Sequence, residues 1–80
     1  MKRLKSLMPK IYSARIVLKA LKKAGFVKIS QKGSHIKLKG VREGRILTVI
    51  VPNHKTVARG TFQSVLEQAE MTSLEFEDYV

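Results

Sequence analysis

The sequence has no cysteine, no tryptophan and only two prolines in 80 residues. Without cysteine there is neither a disulfide framework nor a thiolate metal site. Two histidines and six scattered acids make a poor metal set, so no metal and no other cofactor is expected. No apolar run approaches the roughly 20 residues of a membrane span. The first ten residues also lack the continuous apolar core of a secretory signal. Both absences point to a cytoplasmic protein without a membrane partner. Glycine and proline are too sparse, and the 44% hydrophobic content too high, for a disordered chain. At this length one domain spanning residues 1–80 is expected, burying about 60–65% of its unfolded surface.

Acidic residues are missing from most of the chain. All 16 lysines and arginines lie at or before Arg59, and five of the six acids lie at or after Glu67. Residues 1–59 therefore carry +15 and residues 60–80 carry −5. A basic lead-in covers residues 1–12 and an acidic tail residues 70–80. Charge segregated in this way attracts polyanions, nucleic acid above all, through counterion release.

Ser13 is a good N-cap, and Ala14, Val17, Leu18, Leu21 and Ala24 follow at helical spacing until Gly25 stops the helix. Arg15, Lys19, Lys22 and Lys23 fall on the opposite face with no acid to relieve them, a candidate nucleic-acid contact. Phe26 to Gln31 reads as a first strand, Lys32-Gly33 as a two-residue turn and Ser34 to Lys39 as a second strand. Gly40 to Arg45 reads as a polar loop. The nearly unbroken apolar run Ile46 to Val51 predicts a third strand, closely paired on both edges or dimerised and ended by Pro52. Thr61 is the expected N-cap of a second helix with Phe62, Val65, Leu66 and Ala69 as its stripe. Thr72-Ser73-Leu74-Glu75 has capping-box spacing and starts a short acidic helix or turn, with Phe76 and Tyr79 as anchors. The order α-β-β-β-α predicts an α+β fold with helices on one face of a small antiparallel sheet.

Within this order the stretch from Gln31 to Lys39 concentrates the chemistry. Alternation along an extended strand puts Ser34, Ile36 and Leu38 on one face and His35, Lys37 and Lys39 on the other. Ile36 and Leu38 belong to the core, so His35 projects onto a basic surface, next to a turn that Gly33 permits. A titratable ring among cations suits an anionic substrate.

Leu18 to Phe26, then Lys32-Gly33-Ser34-His35, then Val51-Pro52-Asn53-His54, then Gly60 to Ala69 together resemble the HicA toxin family, also called YcfA-like. The resemblance runs from about Ser13 to Phe76, and the ordered set of motifs is far more specific than any one of them. It implies a fold like the double-stranded-RNA-binding domain, endoribonuclease activity on messenger RNA and a cognate HicB-like antitoxin. It also implies that His35, the histidine of the Gly-Ser-His motif, is catalytic. Ala69-Glu70-Met71-Thr72 departs from the family's frequent Ala-Gly-Leu-Thr and lacks its glycine stop.

RNA carries its own nucleophile, the 2′-hydroxyl. A protein needs only to move protons and stabilise charge on the phosphorane. Histidine, titrating near 6.5 when unperturbed, suits the proton steps. On this reading His35 is the general acid or base. Lys32, Lys37 and Lys39 hold phosphates, and Gly33 and Ser34 set the turn, with Lys19, Lys22 and Lys23 as outlying RNA contacts. His54 reads either as a second proton-transfer group or as a loop residue bonded to backbone. Two rival readings stand beside it: a non-catalytic module that recognises RNA shape and phosphates, and a subunit whose basic face meets an acidic protein partner.

Overall fold

The computed structural model describes residues 11–80. Residues 1–10 of the basic lead-in, with Lys2, Arg3, Lys5 and Pro9, lie outside the described residues. The order is α1 (Ala14–Lys23), β1 (Val27–Lys32), β2 (His35–Arg42), β3 (Arg45–Pro52), α2 (Arg59–Ala69) and α3 (Ser73–Glu77). The strands form one antiparallel sheet in the order β1-β2-β3. This is an α+β fold of the double-stranded-RNA-binding type, with the expected α-β-β-β-α order.

Local chemistry sets the ends of α1. Ser13 Oγ accepts from the Ile16 amide at 3.3 Å. At the other end Gly25 takes φ +104°, while the Phe26 amide donates to Leu21 O and the Gly25 amide to Lys22 O. This pair of bonds is the Schellman closure, which satisfies carbonyls the helix leaves unpaired.

Both hairpin turns differ from the sequence expectation. Lys32 pairs with His35, so the central residues of the first turn are Gly33 and Ser34, not Lys32 and Gly33. Tight hairpin turns need positive φ at their first central position. Gly33 supplies +59°, whereas a Lys32-Gly33 turn would force that conformation on lysine. Ser34 accordingly sits in the turn rather than on the strand face of Ile36 and Leu38. The polar loop expected over Gly40 to Arg45 is instead the end of β2, a two-residue turn at Glu43-Gly44 and the start of β3. Glu43 and Gly44 both have positive φ, 51° and 78°, as a type I′ turn requires. Gly40 belongs to the strand because the Phe26 ring lies where its side chain would be, with a Cβ there falling 2.7 Å from Cδ2.

β3 is an edge strand, paired with β2 alone rather than on both sides. Leu47, Val49 and Val51 enter the core, but Ile46 is 70% exposed. α2 packs against this edge, and the Ile50 amide, pointing away from β2, donates to Gln68 Oε1 at 2.8 Å. Pro52 shares the parity of Ile50, so the amide it lacks would also have pointed outward, a position where an edge strand tolerates proline. In β1 a register shift between Lys28 and Ser30 interrupts the alternation, and every residue of the strand is exposed.

α2 begins at Arg59 with Ala58 at its N-cap and no side-chain cap, the N-cap falling three residues before the expected Thr61. Val57, buried and bridged to Tyr12, pins the chain where the helix enters. The missing glycine stop is replaced by Glu70, itself at φ 54° in another Schellman closure. The capping box forms as expected, with Thr72 Oγ1 accepting from the Glu75 amide and Glu75 Oε1 accepting from the Thr72 amide. Phe76 is buried between Tyr12 and Phe62, with ring centroids 4.9–5.3 Å apart within the trio. These residues, with Val17, Leu21, Ile36, Leu38 and Leu66, build the core on one face of the sheet, and among the described residues no helix covers its other face.

Candidate active site

His35 is the first residue of β2, directly opposite Lys32 on one side and Pro52 on the other. Its neighbours Ile36 and Leu38 are buried, so strand alternation turns His35, Lys37 and Lys39 onto the face opposite the core. Lys37 follows His35 at roughly 7 Å along the strand. The preceding turn is tied down: the Asn53 amide donates to Ser34 O at 2.6 Å, and Gln31 Nε2 donates to Gly33 O at 3.1 Å. The first of these bonds stitches the Gly-Ser-His turn to the loop that carries His54.

Two depressions meet at His35. One, about 400 Å³, is lined by Ser30, Lys32, His35, Lys37 and Ile50 and is cationic. The other, about 480 Å³, lies between β3 and α2. Besides His35 and His54 it presents the hydroxyl residues Thr56, Thr61 and Ser64 and the amide of Gln68. Ile50, Pro52 and Ala58 are its apolar part. His35 and Ile50 belong to both and form the ridge between them.

Lys32, Lys37 and His35 are thus brought together, and Lys39 continues the row. Lys19, Lys22 and Lys23 are not part of it. α1 packs on the core face of the sheet, and Lys19 and Lys23 line a separate depression of about 160 Å³ with Ile16 and Tyr79. Two carboxylates of the acidic segment, Glu70 and Glu75, also stay away from His35. Arg42 pairs with Glu75 at 3.1 Å and Arg45 with Glu70, both at the hairpin tip, roughly 23 Å along β2 from His35. The Thr72 amide and Arg42 hold the Glu75 carboxyl below the usual carboxylate range, and Arg45 does the same for Glu70. Glu70 and Glu75 therefore neutralise tip arginines rather than the lysines beside His35.

His54 is fixed through its backbone: its amide donates to Pro52 O and its carbonyl accepts from the Ala14 amide. The residue shares the β3–α2 cleft with His35 while its main chain does the structural work. Sequence reasoning missed Thr56, Thr61, Ser64 and Gln68. Thr61, Ser64 and Gln68 are spaced three and four apart, a polar stripe beside the apolar stripe of α2, and that spacing was the available signal. Among the described residues no three His, Cys, Asp or Glu side chains come together as a metal set, and no helix is long and apolar enough to cross a membrane.

No curated protein matches the chain. A family model described as the HicA toxin of bacterial toxin–antitoxin systems matches residues 14–71, from the first residue of α1 to just past α2. That span contains the whole sheet, both depressions and the motifs around His35 and His54. The chain belongs to the HicA toxin family.

Proposed function

We propose that this chain is an endoribonuclease toxin that cuts messenger RNA in the cytoplasm, with His35 as general acid or base. The observation that carries this reading is the position of His35 on the ridge between a cationic depression and a neutral cleft. A scissile phosphate on the Lys32 and Lys37 side lies within reach of the imidazole, and the lysines offset charge as the phosphorane forms. The 2′-oxygen bonds to phosphorus as its proton leaves to a base. The bond to the 5′-oxygen breaks as that oxygen receives a proton, leaving a 2′,3′-cyclic phosphate and a 5′-hydroxyl. All the atoms come from the RNA and the proton-transfer groups. Acid–base catalysis by one positioned side chain is worth about 10²–10⁴-fold. A HicB-like antitoxin that covers His35 and its lysines silences such an enzyme by occlusion alone.

The test is cleavage of a long single-stranded RNA, with chelator present, by the chain and by its His35→Ala variant. Loss of cutting in the variant, with cyclic phosphate ends in the unsubstituted reaction, supports the reading. Equal cutting by both removes His35 from the chemistry. Equal RNA binding without cutting by either leaves a binding module.

A further inference from the structure

We propose that the cleft between β3 and α2 is a nucleoside subsite, which seats the base and ribose next to the phosphate held on the lysine side of His35. The placement rests on the nuclease reading for which nucleotide this is, but the subsite itself is a matter of binding chemistry.

The two depressions that share His35 differ in kind. The lysine side offers ammonium groups, which attract phosphate without regard to sequence. Among the described residues the β3–α2 cleft is lined by no lysine, arginine or carboxylate, and it offers two imidazoles, hydroxyls, an amide and an apolar part. Unstacked bases are recognised by such a mixture: a planar or apolar surface against the ring and hydrogen-bonding groups at its edge. The 480 Å³ volume falls in the usual range of small-molecule sites. Ile50, Pro52 and the His54 ring supply the surface.

The edge readers are Thr61 and Ser64. Gln68 Oε1 is engaged by the Ile50 amide at 2.8 Å, which orients the side chain along the cleft wall. Its Nε2 contacts Ser64 Oγ at 3.4 Å, a long contact that leaves the Ser64 proton to donate outward. Both hydroxyl residues are exposed on α2, so neither carries the core. A hydroxyl pairs with a donor or an acceptor, so the readout is a graded preference among bases rather than an absolute one.

The experiment follows backbone amide signals of the full chain by NMR while adenosine, uridine or inorganic phosphate is added. The expected result is that the uncharged nucleosides move the signals of Thr56, Thr61, Ser64 and Gln68, while phosphate moves those of Lys32 and Lys37. Thr61→Val and Ser64→Ala should each change the ratio of adenosine to uridine affinity by about two- to tenfold, the effect of one hydrogen bond. On long RNA the same two variants should redistribute the cut sites, whereas Lys37→Ala should slow all cuts alike. Nucleosides that leave the cleft signals still, or move only the lysine-side signals, overturn the subsite. So does an unchanged cut-site distribution in both variants. A chain that cuts no RNA yet shows nucleosides moving the cleft signals keeps the subsite and loses the nuclease reading.

Discussion

Gly40 offers the sharpest test of how this sheet is packed. A Cβ added there would lie 2.7, 2.9 and 2.9 Å from Cδ2, Cε2 and Cγ of Phe26. The ring must retreat about 0.7 Å to reach 3.4 Å, the near edge of ordinary contact. Phe26 is only 2% exposed and follows directly on the Schellman turn, so little space receives that motion. Overpacking of this kind costs about 1–3 kcal/mol. The lower entropy of the unfolded chain with alanine returns about 0.4–1 kcal/mol. Gly40→Ala is therefore expected to be less stable by about 1–2 kcal/mol. With a urea m-value of about 1 kcal/mol per molar for a small domain, the midpoint falls by about 1–2 M. The partner test is the double-mutant cycle with Phe26→Leu: removing the ring should cut the cost of the new Cβ by at least about 1 kcal/mol. A Gly40→Ala midpoint equal to or above that of the unsubstituted chain would refute the packing argument. Unchanged additivity in the cycle would place the strain somewhere other than the ring.

Glu70 holds a left-handed conformation that costs a non-glycine residue about 1–2 kcal/mol, more than its exposed pairing with Arg45 provides. Glu70→Gly should raise stability by about 0.5–1 kcal/mol in chemical denaturation. Because the Glu75 and Glu70 carboxyls sit below the usual value of 4.5 in the folded chain, the stability they confer is present above that value and lost as pH falls through their lower folded values. The thermal midpoint should therefore decline on acidification, and less steeply in Glu75→Gln, which keeps the capping geometry without a titrating group; equal slopes would contradict this. His54→Ala keeps both main-chain bonds of residue 54 and should change stability by less than about 0.5 kcal/mol. Intact folding with lost cleavage but unchanged nucleoside binding in that variant would make His54 a second proton-transfer group. Gln68→Leu strips the Ile50 amide of its acceptor and should cost about 1 kcal/mol by urea denaturation.

What could be read without the structure depended on signals confined to neighbours in the chain. The Ser13 cap, the Gly25 stop and the Thr72 to Glu75 box are all closed by bonds between residues three to five apart, and all three form where the spacing places them. The outward face of His35, Lys37 and Lys39 follows from a period of two. The hairpin turns were harder to read because each depends on which residue must accept positive φ. That assigns Gly33 to the first position of one turn and makes Glu43-Gly44 the other. Gly40 looked like loop because glycine usually is, and only the Phe26 ring across the sheet explains it as strand.

The sequence by itself determined the element order, the basic body with its acidic end, the core stripes of both helices and the family to which the motifs point. Each of these is local or compositional, so it survives without knowledge of distant contacts. The tertiary structure decided what meets what. It set α2 along the edge of β3, which created the cleft that joins His35 to Thr61, Ser64 and Gln68, residues 26 to 33 positions away in the chain. It also set Lys19, Lys22 and Lys23 on the far side of the sheet from His35, and sent Glu75 and Glu70 to Arg42 and Arg45 at the hairpin tip. Such juxtapositions follow from how the helices bury their stripes against one face of a twisted sheet, a constraint that no short stretch of sequence contains.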